Sequence, residues 1–557
     1  MKQDGNKNIF SLRNSFLRLK RDSSRWSFIS LAIVFFIALP VISISVNLWG
    51  GPGSSWGHML QYLLPQYISN SIYLMVTCTL LTLVLGVFSA WLVARYEFPL
   101  RRVAEWLLIL PLAIPSYITA YAYAGVFDYG GTFTKCLEYF GLTPFRIDIM
   151  NRFGLAFVLS VSLFPYVYVS ARTFFVNQSG NLLEASKMLG VGELKTFFKM
   201  ILPLARPAIL AGLVLVLMEV LNDYGAATYF GVNTFTTGIF RSWFSLEEPE
   251  TAIYLSAILL CLVFALLVFE KWQRRNKQFT HSGRGGRSIA RKKTSKKVAL
   301  LILLFVLFPI VLGFIIPLFQ LLYWSSFTFY KVFDQSFLSL SLKSLWIALI
   351  TAFFTVIIAT LLIFASRWNR IGFIKNLSKL GVLGYAIPGA VVAIGIMIPT
   401  LAIDKWLIQV LNNYFGISSK LLINGTLAAL IYAYIVRFLA VAYNPIESAS
   451  LKVSNAIPDA SRTLGIGSLK TFFKIEFPLI KTGLLGAFIL VFIDVLKELP
   501  LTLILKPYHI NTLAVKAYEY ASDELIMESA VPSLFIIVTA LIPVILLSRF
   551  LGIGKQL

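Results

Sequence analysis

The sequence has few charged residues for its length. Charged side chains make up 13% of the 557 residues, whereas a soluble globular domain has about 25%. A water-soluble fold of this size could not cover its surface with so few charges, which excludes an ordinary soluble protein. The 58% of hydrophobic residues and the mean hydropathy of +0.78 indicate instead that the solvent is a lipid bilayer.

Residues that carry metal or nucleotide chemistry are also scarce. The three cysteines are far apart and the three histidines fall in predicted loops or in a linker, so neither a disulfide framework nor a zinc site is indicated. The phosphate-loop pattern Gly-x-x-x-x-Gly-Lys-Ser/Thr does not occur. We therefore expect no metal site, no catalytic residue, no cofactor bound by this chain and no hydrolysis of ATP by it.

Acidic residues are outnumbered by basic ones, 26 against 49, which gives a net charge of +23. In a soluble protein this balance would favour a nucleic-acid partner. Here the basic residues lie between apolar runs, which is the pattern that orients a membrane protein. We therefore expect a lipid bilayer and no nucleic acid as the partner of these charges.

Long apolar runs are what the sequence does contain. A bilayer core about 30 Å thick needs roughly 20 residues of helix, and twelve runs are long enough. They lie near residues 27–49, 69–95, 102–126, 151–175, 206–228, 251–271, 298–324, 343–366, 376–401, 425–443, 481–505 and 526–551. With the N-terminus in the cytoplasm, every loop after an even-numbered run is rich in Lys and Arg, as the positive-inside rule requires. Both termini are therefore predicted to be cytoplasmic.

An internal repeat divides the chain. Thirteen of the 24 residues from 184 to 207 are identical to those 275 positions later. The repeat predicts an all-α polytopic membrane protein of about twelve transmembrane helices, arranged as two six-helix repeats of parallel topology. The predicted parts are a cytoplasmic segment 1–26, a first six-helix unit 27–271, a basic cytoplasmic linker 272–297 and a second six-helix unit 298–557. We favour a flexible, solvated linker over a site for anionic lipid or a regulator.

The repeated segments form two loops, which we name repeated loop 1 (184–203) and repeated loop 2 (459–478). Each is predicted to form a short helix, a Gly-x-Gly break, a second short helix and a proline. Both present two consecutive phenylalanines, which are costly to expose to water. We interpret the loops as elements that dock into a groove on a partner protein. The alternative, an amphipathic helix lying on lipid, would not require matched residues in both loops.

Both loops resemble the EAA coupling loop of type I ABC importer permeases, which has an acid-Ala-Ala sequence followed by a glycine and a more distant proline. The residues assigned to coupling are Glu184, Ala185, Ser186, Gly190, Gly192, Phe197, Phe198 and Pro203 in repeated loop 1, and Asp459, Ala460, Ser461, Gly465, Gly467, Phe472, Phe473 and Pro478 in repeated loop 2. Departures from the family pattern are Ser186 and Ser461 in place of the second alanine, Asp459 in place of the glutamate, Met200 in place of an isoleucine and Phe477 in place of a leucine.

The resemblance implies the partners and the location. Each loop would sit in a cleft of one subunit of an ABC ATPase dimer, which binds ATP–Mg, and would transmit its closure to the membrane helices. A solute-binding protein of the periplasmic type would dock on the other face, and the protein would span the inner membrane of a bacterium. Residues 229–244, 497–506 and 511–524 are similar to the fused permeases of ferric-iron importers. Fused thiamine, aminophosphonate and related permeases share this layout, so those substrates stay open.

Acidic residues occur inside predicted spans at matched positions of the two units. They are Glu219, Asp223, Asp494 and Glu498. Because an acid at mid-bilayer costs about 2.5–3.5 kcal/mol on insertion scales, these side chains should face the bundle interior or water. Either they line the translocation path, where carboxylates suit a hard cation such as ferric iron, or they bond neighbouring helices. Pro115 and Pro388 interrupt two further spans, where they either line the same path or kink the helices for packing.

Two other classes of function compete with an ATP-driven importer. A secondary transporter of six plus six helices would use the buried acids for protons and would need no repeated loops. A membrane-embedded enzyme would need a cluster of His, Asp and Glu at catalytic spacing, which the sequence does not contain.

Overall fold

Helices make up most of the regular structure of this protein, which we describe from a computed structural model. The structure describes residues 25–143, 147–178, 183–275 apart from 185 and 187, 291–368, 384–415 apart from 385, and 421–550 apart from 455. Most of the predicted segment 1–26 and of the linker therefore lies outside the described residues.

The helices follow the apolar runs of the sequence. Those of the first half are α1 (Arg25–Asn47), α2 (Leu64–Arg95), α3 (Arg101–Leu107), α4 (Ser116–Phe127), α5 (Thr132–Tyr139), α6 (Arg152–Gln178), α7 (Glu193–Thr196), α8 (Leu202–Asn222), α9 (Gly225–Tyr229), α10 (Phe235–Phe240) and α11 (Pro249–Arg275). Those of the second half are α12 (Lys296–Ile310), α13 (Ile316–Val332), α14 (Gln335–Trp368), α15 (Gly389–Phe415), α16 (Leu427–Ser450), α17 (Ala456–Thr463), α18 (Ser468–Thr471), α19 (Phe477–Leu496), α20 (Pro500–Leu505), α21 (Leu513–Ser522) and α22 (Ala530–Phe550). Two short strands, β1 (Tyr96–Glu97) and β2 (Lys292–Lys293), pair in parallel.

Ten of the described helical stretches are long and apolar enough to cross a bilayer. An eleventh candidate is the pair Arg101–Ala113 and Ser116–Tyr139, which is bent by 94° at the break between its helices. The last predicted run corresponds to a shorter apolar helix, Ala530–Pro543. The predicted class, an all-α polytopic membrane protein, is confirmed.

Several predicted spans end early or are divided, and each does so at a break. The predicted run 206–228 is shortened to α8, which ends at Asn222, and the run 481–505 is shortened to α19, which ends at Leu496. A short helix follows each of these breaks, α9 and α20. The run 102–126 is divided before Ser116, and α15 begins at Gly389 rather than near residue 376. The breaks before Ser116 and Gly389 follow Pro115 and Pro388, the two prolines predicted to interrupt spans. Hydropathy did not reveal the breaks after α8 and α19, because apolar residues continue on both sides of them.

One compact unit contains the described residues of the ranges 47–338 and 513–538. At its centre α2 and α6 pack so closely that a Cβ added to Gly86 would lie 2.7 Å from Cβ of Val167. The segment from α12 to α13 belongs to this unit, since the hydroxyl of Tyr123 donates to the carbonyl of Leu312 over 2.7 Å. The unit is thus built mainly from the first sequence repeat but includes the first span of the second.

The other compact unit contains the described residues of the ranges 1–46, 339–512 and 539–557. Helix α1 packs within it: the rings of Trp26 and Phe364 lie 4.7 Å apart, and the hydroxyl of Tyr432 donates to the carbonyl of Phe36 over 2.5 Å. This unit therefore combines the first span of the chain with most of the second repeat. The compact units do not coincide with the predicted units 27–271 and 298–557, which follow the sequence repeat and stay a prediction.

Candidate functional site

Both repeated loops turn through the same backbone motif. In repeated loop 1, Gly190 has a φ of +71°, and the N–H of Val191 donates to the carbonyl of Ser186 over 3.0 Å. In repeated loop 2, Gly465 has a φ of +70°, and the corresponding bond is 2.9 Å long. This is the Schellman ending of a helix, which needs a residue that tolerates positive φ. The predicted break is confirmed at the first glycine of each Gly-x-Gly.

The second glycine of each pair begins the next helix. The carbonyl of Gly192 accepts the N–H of Thr196 over 3.0 Å, and that of Gly467 accepts the N–H of Thr471 over 3.1 Å. Gly192 itself has an extended conformation with φ −62°. Only the first glycine of each pair therefore needs the conformational freedom of glycine.

The serines that replace the second alanine of the EAA pattern are buried in both loops. Ser186 and Ser461 are 1% and 3% exposed. The hydroxyl of Ser186 donates to the carbonyl of Leu183 over 3.0 Å, and the hydroxyl of Ser461 bonds to that of Thr471. Each serine thus adds an internal hydrogen bond that alanine could not form.

The two phenylalanines of each loop have different environments. Phe197 is 3% exposed and its ring lies 4.7 Å from that of Trp91, while Phe472 is half-buried with its ring 4.9 Å from that of Phe364. The exposed members are Phe198 and Phe473. The prediction that both phenylalanines are exposed is therefore wrong. The first phenylalanine anchors the loop to α2 or to α14, and the second remains available to a partner.

Apolar side chains flank the exposed phenylalanine in each loop. The exposed ones are Met188, Leu189 and Leu194 in repeated loop 1, and Leu464 and Leu469 in repeated loop 2. Glu184, Pro203, Ala460 and Pro478 are exposed as well. Ala185 and the side chain of Asp459 lie outside the described residues. An exposed apolar face next to a rigid turn has the chemistry of a surface that docks into a groove.

Asp223 lies at the break after α8 rather than inside a helix. One carboxylate oxygen accepts the N–H groups of Ala226 and Ala227 over 3.0 and 3.1 Å, which caps α9. The other oxygen accepts the hydroxyl of Ser116, the first residue of α4, over 2.5 Å. Because Ser116 follows Pro115, the acid joins the break in the fifth predicted run to the break in the third.

Glu498 has the corresponding place at the break after α19. Its carboxylate accepts the N–H of Leu501 over 3.1 Å and pairs with Arg437 of α16 at 3.2 Å. Gly389, which follows Pro388 and begins α15, lies against this pair: a Cβ on Gly389 would be 2.7 Å from a carboxylate oxygen of Glu498. Here too a buried acid joins the end of one span to the start of another.

The remaining two acids are half-buried within helices. The carboxylate of Asp494 in α19 lies 2.7 Å from the ammonium group of Lys497, and Glu219 lies in α8. The prediction that all four acids lie inside spans is wrong for Asp223 and Glu498, because a helix ends between the two members of each pair. The contacts match the interpretation that the acids bond neighbouring helices, and a role in the translocation path stays a prediction.

A cavity of about 610 Å³ opens at the end of α6 opposite repeated loop 1. Its oxygen-bearing side chains include Asp128, Asp148, Glu524, Tyr229 and Tyr518. Among the described residues that line it, none is Lys, Arg or His. Carboxylate and phenol oxygens suit hard cations better than anions.

Comparison with known proteins places the chain in a family. The sequence profile of the family described as "Binding-protein-dependent transport system inner membrane component" matches residues 82–277 and 370–553, which is more than half of the chain. The chain belongs to this family of transport permeases.

Individual relatives of the permease match it over different lengths. The Fe(3+)-transport system permease protein FbpB 2 of Haemophilus influenzae is 27% identical over 490 residues, 87% of this chain and 90% of that protein. The ferric transport system permease protein FbpB of Actinobacillus pleuropneumoniae is 23% identical over 500 residues, 84% of this chain and 69% of that protein. The molybdenum transport system permease protein ModB of H. influenzae is 31% identical over 225 residues, 38% of this chain and 93% of that protein.

The two repeated loops of the permease differ at one ion-pair cluster. The carboxylate of Glu193, in repeated loop 1, lies 2.7 Å from the guanidinium of Arg95 and 3.0 Å from the ammonium group of Lys292. Since Lys292 belongs to β2, this cluster ties the end of α2 and the end of the linker to repeated loop 1. The matched position in repeated loop 2 is Ser468, which carries no charge.

Two buried charges of the permease were missed in the sequence. Arg437 falls within the predicted run 425–443, where a lone arginine among apolar residues is a signal of a buried partner. Asp404 is 0% exposed and accepts the N–H groups of three consecutive residues, Leu422 to Asn424, over 2.8–2.9 Å. The predicted run ends at 401 and so assigns Asp404 to a loop, whereas α15 continues to Phe415.

Proposed function

We propose that this permease is the translocation subunit of an ATP-driven importer of ferric iron. The observation that carries the proposal is the match to a Fe(3+)-transport permease along both repeats, over 87% of this chain and 90% of the relative. A match of that extent reaches both sequence repeats and is not confined to a single unit.

The motor of this importer is a separate ATPase dimer that binds ATP–Mg and engages repeated loops 1 and 2. The matched Schellman turns and the exposed Phe198 and Phe473 support this role. Closure of the ATPase on ATP would move each loop, and the anchors Phe197 and Phe472 would pass that motion to α2 and α14. Hydrolysis and release would reset the loops.

The solute enters from the other face, where a binding protein delivers it. In this orientation the repeated loops and both termini are cytoplasmic, and the protein lies in the inner membrane of a bacterium. The basic residues of the loops after even-numbered runs support this orientation by the positive-inside rule.

The lining of the 610 Å³ cavity at the end of α6 favours a cation as the solute. Its three carboxylates and two phenols are hard oxygen donors, which suit ferric iron. A second candidate is an oxyanion, since the molybdenum permease of H. influenzae is 31% identical to one part of the chain. The acids of the cavity would repel an anion, so we place this candidate second. Thiamine and aminophosphonate are further alternatives, supported only by the two-unit arrangement that their fused permeases share with this chain.

The buried acids at the two breaks lie on or beside the path of the solute in this proposal. Asp223 and Glu498 lie at breaks in two spans and bond to residues of neighbouring helices. Glu219 and Asp494 lie one helical turn before them. Opening of a broken span would require those contacts to loosen, which would make carboxylate oxygens available to a passing cation.

Uptake of labelled ferric iron in a strain that lacks the chromosomal gene tests the proposal. The unmodified 557-residue chain should restore uptake, and a chain with Gly190 and Gly465 both replaced by Val should be inserted normally but should not restore it. Molybdate, sulfate, thiamine and an aminophosphonate are measured in the same cells. Restored uptake of one of these instead of iron would contradict the substrate, and iron uptake that persists after ATP depletion would favour a secondary transporter.

A further inference from the structure

An apolar groove of about 650 Å³ lies beside repeated loop 2. Its long walls are one face of α14, from Phe353 to Phe364, and one face of α19, from Phe477 to Phe488. Leu469 and Phe473 of repeated loop 2 close one end. The groove is open along its side, since Phe353, Leu485 and Phe473 are all more than half exposed.

The depth of the groove corresponds to one leaflet of a bilayer. Each wall covers twelve residues of helix, and its first and last residues are separated by eleven steps of 1.5 Å, or about 16 Å. The hydrocarbon core of a bilayer is about 30 Å thick, so one leaflet accounts for about half of that. Both walls belong to helical stretches that are long and apolar enough to span a membrane.

Among the described residues that line the groove, one is charged, a lysine near its loop end. Lys481 lies one turn inside α19, is exposed, and forms no ion pair with any residue that the structure describes. Lys470 and Lys474 are exposed in the adjacent loop. A lysine in this place can lay its apolar stem along the groove and hold its ammonium group at the level of the lipid headgroups.

The corresponding space beside repeated loop 1 is filled by side chains. Trp91 of α2 is 7% exposed and packs against Phe197, and Phe88 lies between Phe197 and Phe305 of α12, with ring centroids 6.4 and 6.5 Å away. The residue matched to Lys481 is Arg206, which is also exposed. In the described part of the first repeat, the basic residue therefore lies beside packed aromatic side chains.

We propose that the groove beside repeated loop 2 binds one anionic phospholipid. An acyl chain lies along the groove between α14 and α19, and the phosphate contacts the ammonium group of Lys481. The lipid touches Phe472 and Phe473, so its presence or absence acts on the loop that we propose to contact the ATPase. The site does not depend on which solute the permease transports.

Native mass spectrometry of the purified chain, titrated with phosphatidylglycerol or phosphatidylcholine, tests the proposal. The unmodified chain should retain one phosphatidylglycerol more tightly than phosphatidylcholine. Lys481→Ala should weaken this binding roughly fivefold, as expected for about 1 kcal/mol per basic residue near an anionic lipid surface. Leu485→Trp, which fills the groove but keeps the charge, should weaken it as well. Arg206→Ala removes the matched charge of the first repeat and should leave it unchanged.

A phosphatidylglycerol with a photoreactive acyl chain locates the site directly. Crosslinks should form with peptides of α14 and α19 in the unmodified chain and should be lost in Leu485→Trp. Equal loss of binding in Lys481→Ala and Arg206→Ala would overturn the proposal, because it would indicate general attraction to basic surface. Equal retention of the two lipids, or crosslinks to peptides outside the groove, would overturn it too.

Discussion

Gly190 and Gly465 adopt the same left-handed conformation at the turn of each repeated loop, with nothing within 4 Å of the position of an added Cβ. The effect of a side chain there is therefore conformational strain without any clash. Replacing either glycine by Ala should destabilise its turn by about 1–2 kcal/mol. We expect lower stimulation of the partner ATPase by the permease, measured as ATP hydrolysis in reconstituted membranes.

Two variants serve as controls for this glycine prediction. Gly190→Asn should be milder than Gly190→Ala, because Asn tolerates positive φ. Gly192→Ala should be near neutral, because Gly192 has a φ of −62° and free space around it. If Gly192→Ala were as harmful as Gly190→Ala, the left-handed turn would not be the reason for the glycine.

Gly389 makes room for the buried pair of Arg437 and Glu498. A Cβ at this position would lie 2.5 Å from a guanidinium nitrogen of Arg437 and 2.7 Å from a carboxylate oxygen of Glu498. Gly389→Ala should therefore separate the pair and destabilise the protein by about 1–3 kcal/mol, as overpacking in a core does. Thermal unfolding in detergent measures the loss. Gly486→Ala, on an open face of α19, should stabilise by about 0.5–1 kcal/mol or be neutral.

Glu248 orders the chain between α1 and α2 through hydroxyl donors. Hydrogen bonds from Ser54 (2.6 Å), Ser55 and Thr251, together with the N–H of Ser55, lower the pKa of Glu248 from 4.5 to about 2. A lowered pKa contributes stability above the unfolded value, about 4.5, and that contribution disappears as the pH falls towards 2. Hydrogen exchange at residues 51–58 should accordingly rise between about pH 5 and pH 3.

Glu248→Gln provides the comparison for this pH dependence. The variant cannot ionise, so its exchange at residues 51–58 should already be faster at neutral pH and should change little on acidification beyond the chemical rate. An equal pH response in both proteins would assign the effect to another group.

At the scale of elements, repeated loop 1 is fastened to its surroundings by the cluster of Glu193, Arg95 and Lys292. Arg95 is buried whereas the side chain of Lys292 is 49% exposed. Exposed pairs contribute about 0–1 kcal/mol, and burial of one partner raises the cost of losing it. Arg95→Ala should therefore increase hydrogen exchange in residues 193–201 more than Lys292→Ala does. Lys293→Ala, next to it in β2, should have no effect.

The elements themselves could be predicted where one physical property decides them. Long apolar runs predict the spans because a bilayer requires about 20 apolar residues, and the Gly-x-Gly turns follow from the need for positive φ. The breaks after α8 and α19 could not be predicted, because they depend on contacts between residues far apart in sequence. Asp223 accepts a hydrogen bond from Ser116 of α4, and Glu498 forms an ion pair with Arg437 of α16. The same reason explains why Phe197 and Phe198, adjacent and identical in type, differ in exposure.

At the scale of the whole molecule, each compact unit contains spans from both sequence repeats. Helix α1 packs on residues of α14 and α16, and the segment from α12 to α13 packs on α4. A chain divided in the linker, expressed as residues 1–285 and 286–557, should therefore still copurify through a tag on one fragment. Omission of α1 from the first fragment should increase hydrogen exchange in α14 and α16. Two fragments that separate as stable, independent halves would contradict this arrangement.

Because each compact unit contains spans from both sequence repeats, the order of synthesis limits when each unit can fold. The ribosome delivers α1 long before the residues that cover it, and the unit built around α2, α6 and α8 lacks residues 513–538 until those residues have been translated. Neither unit can close while the polypeptide is still short. Spans that are synthesised early therefore remain in the membrane without their later packing partners. A chain that stops before residue 513 would leave the unit formed mainly by its N-terminal half incomplete.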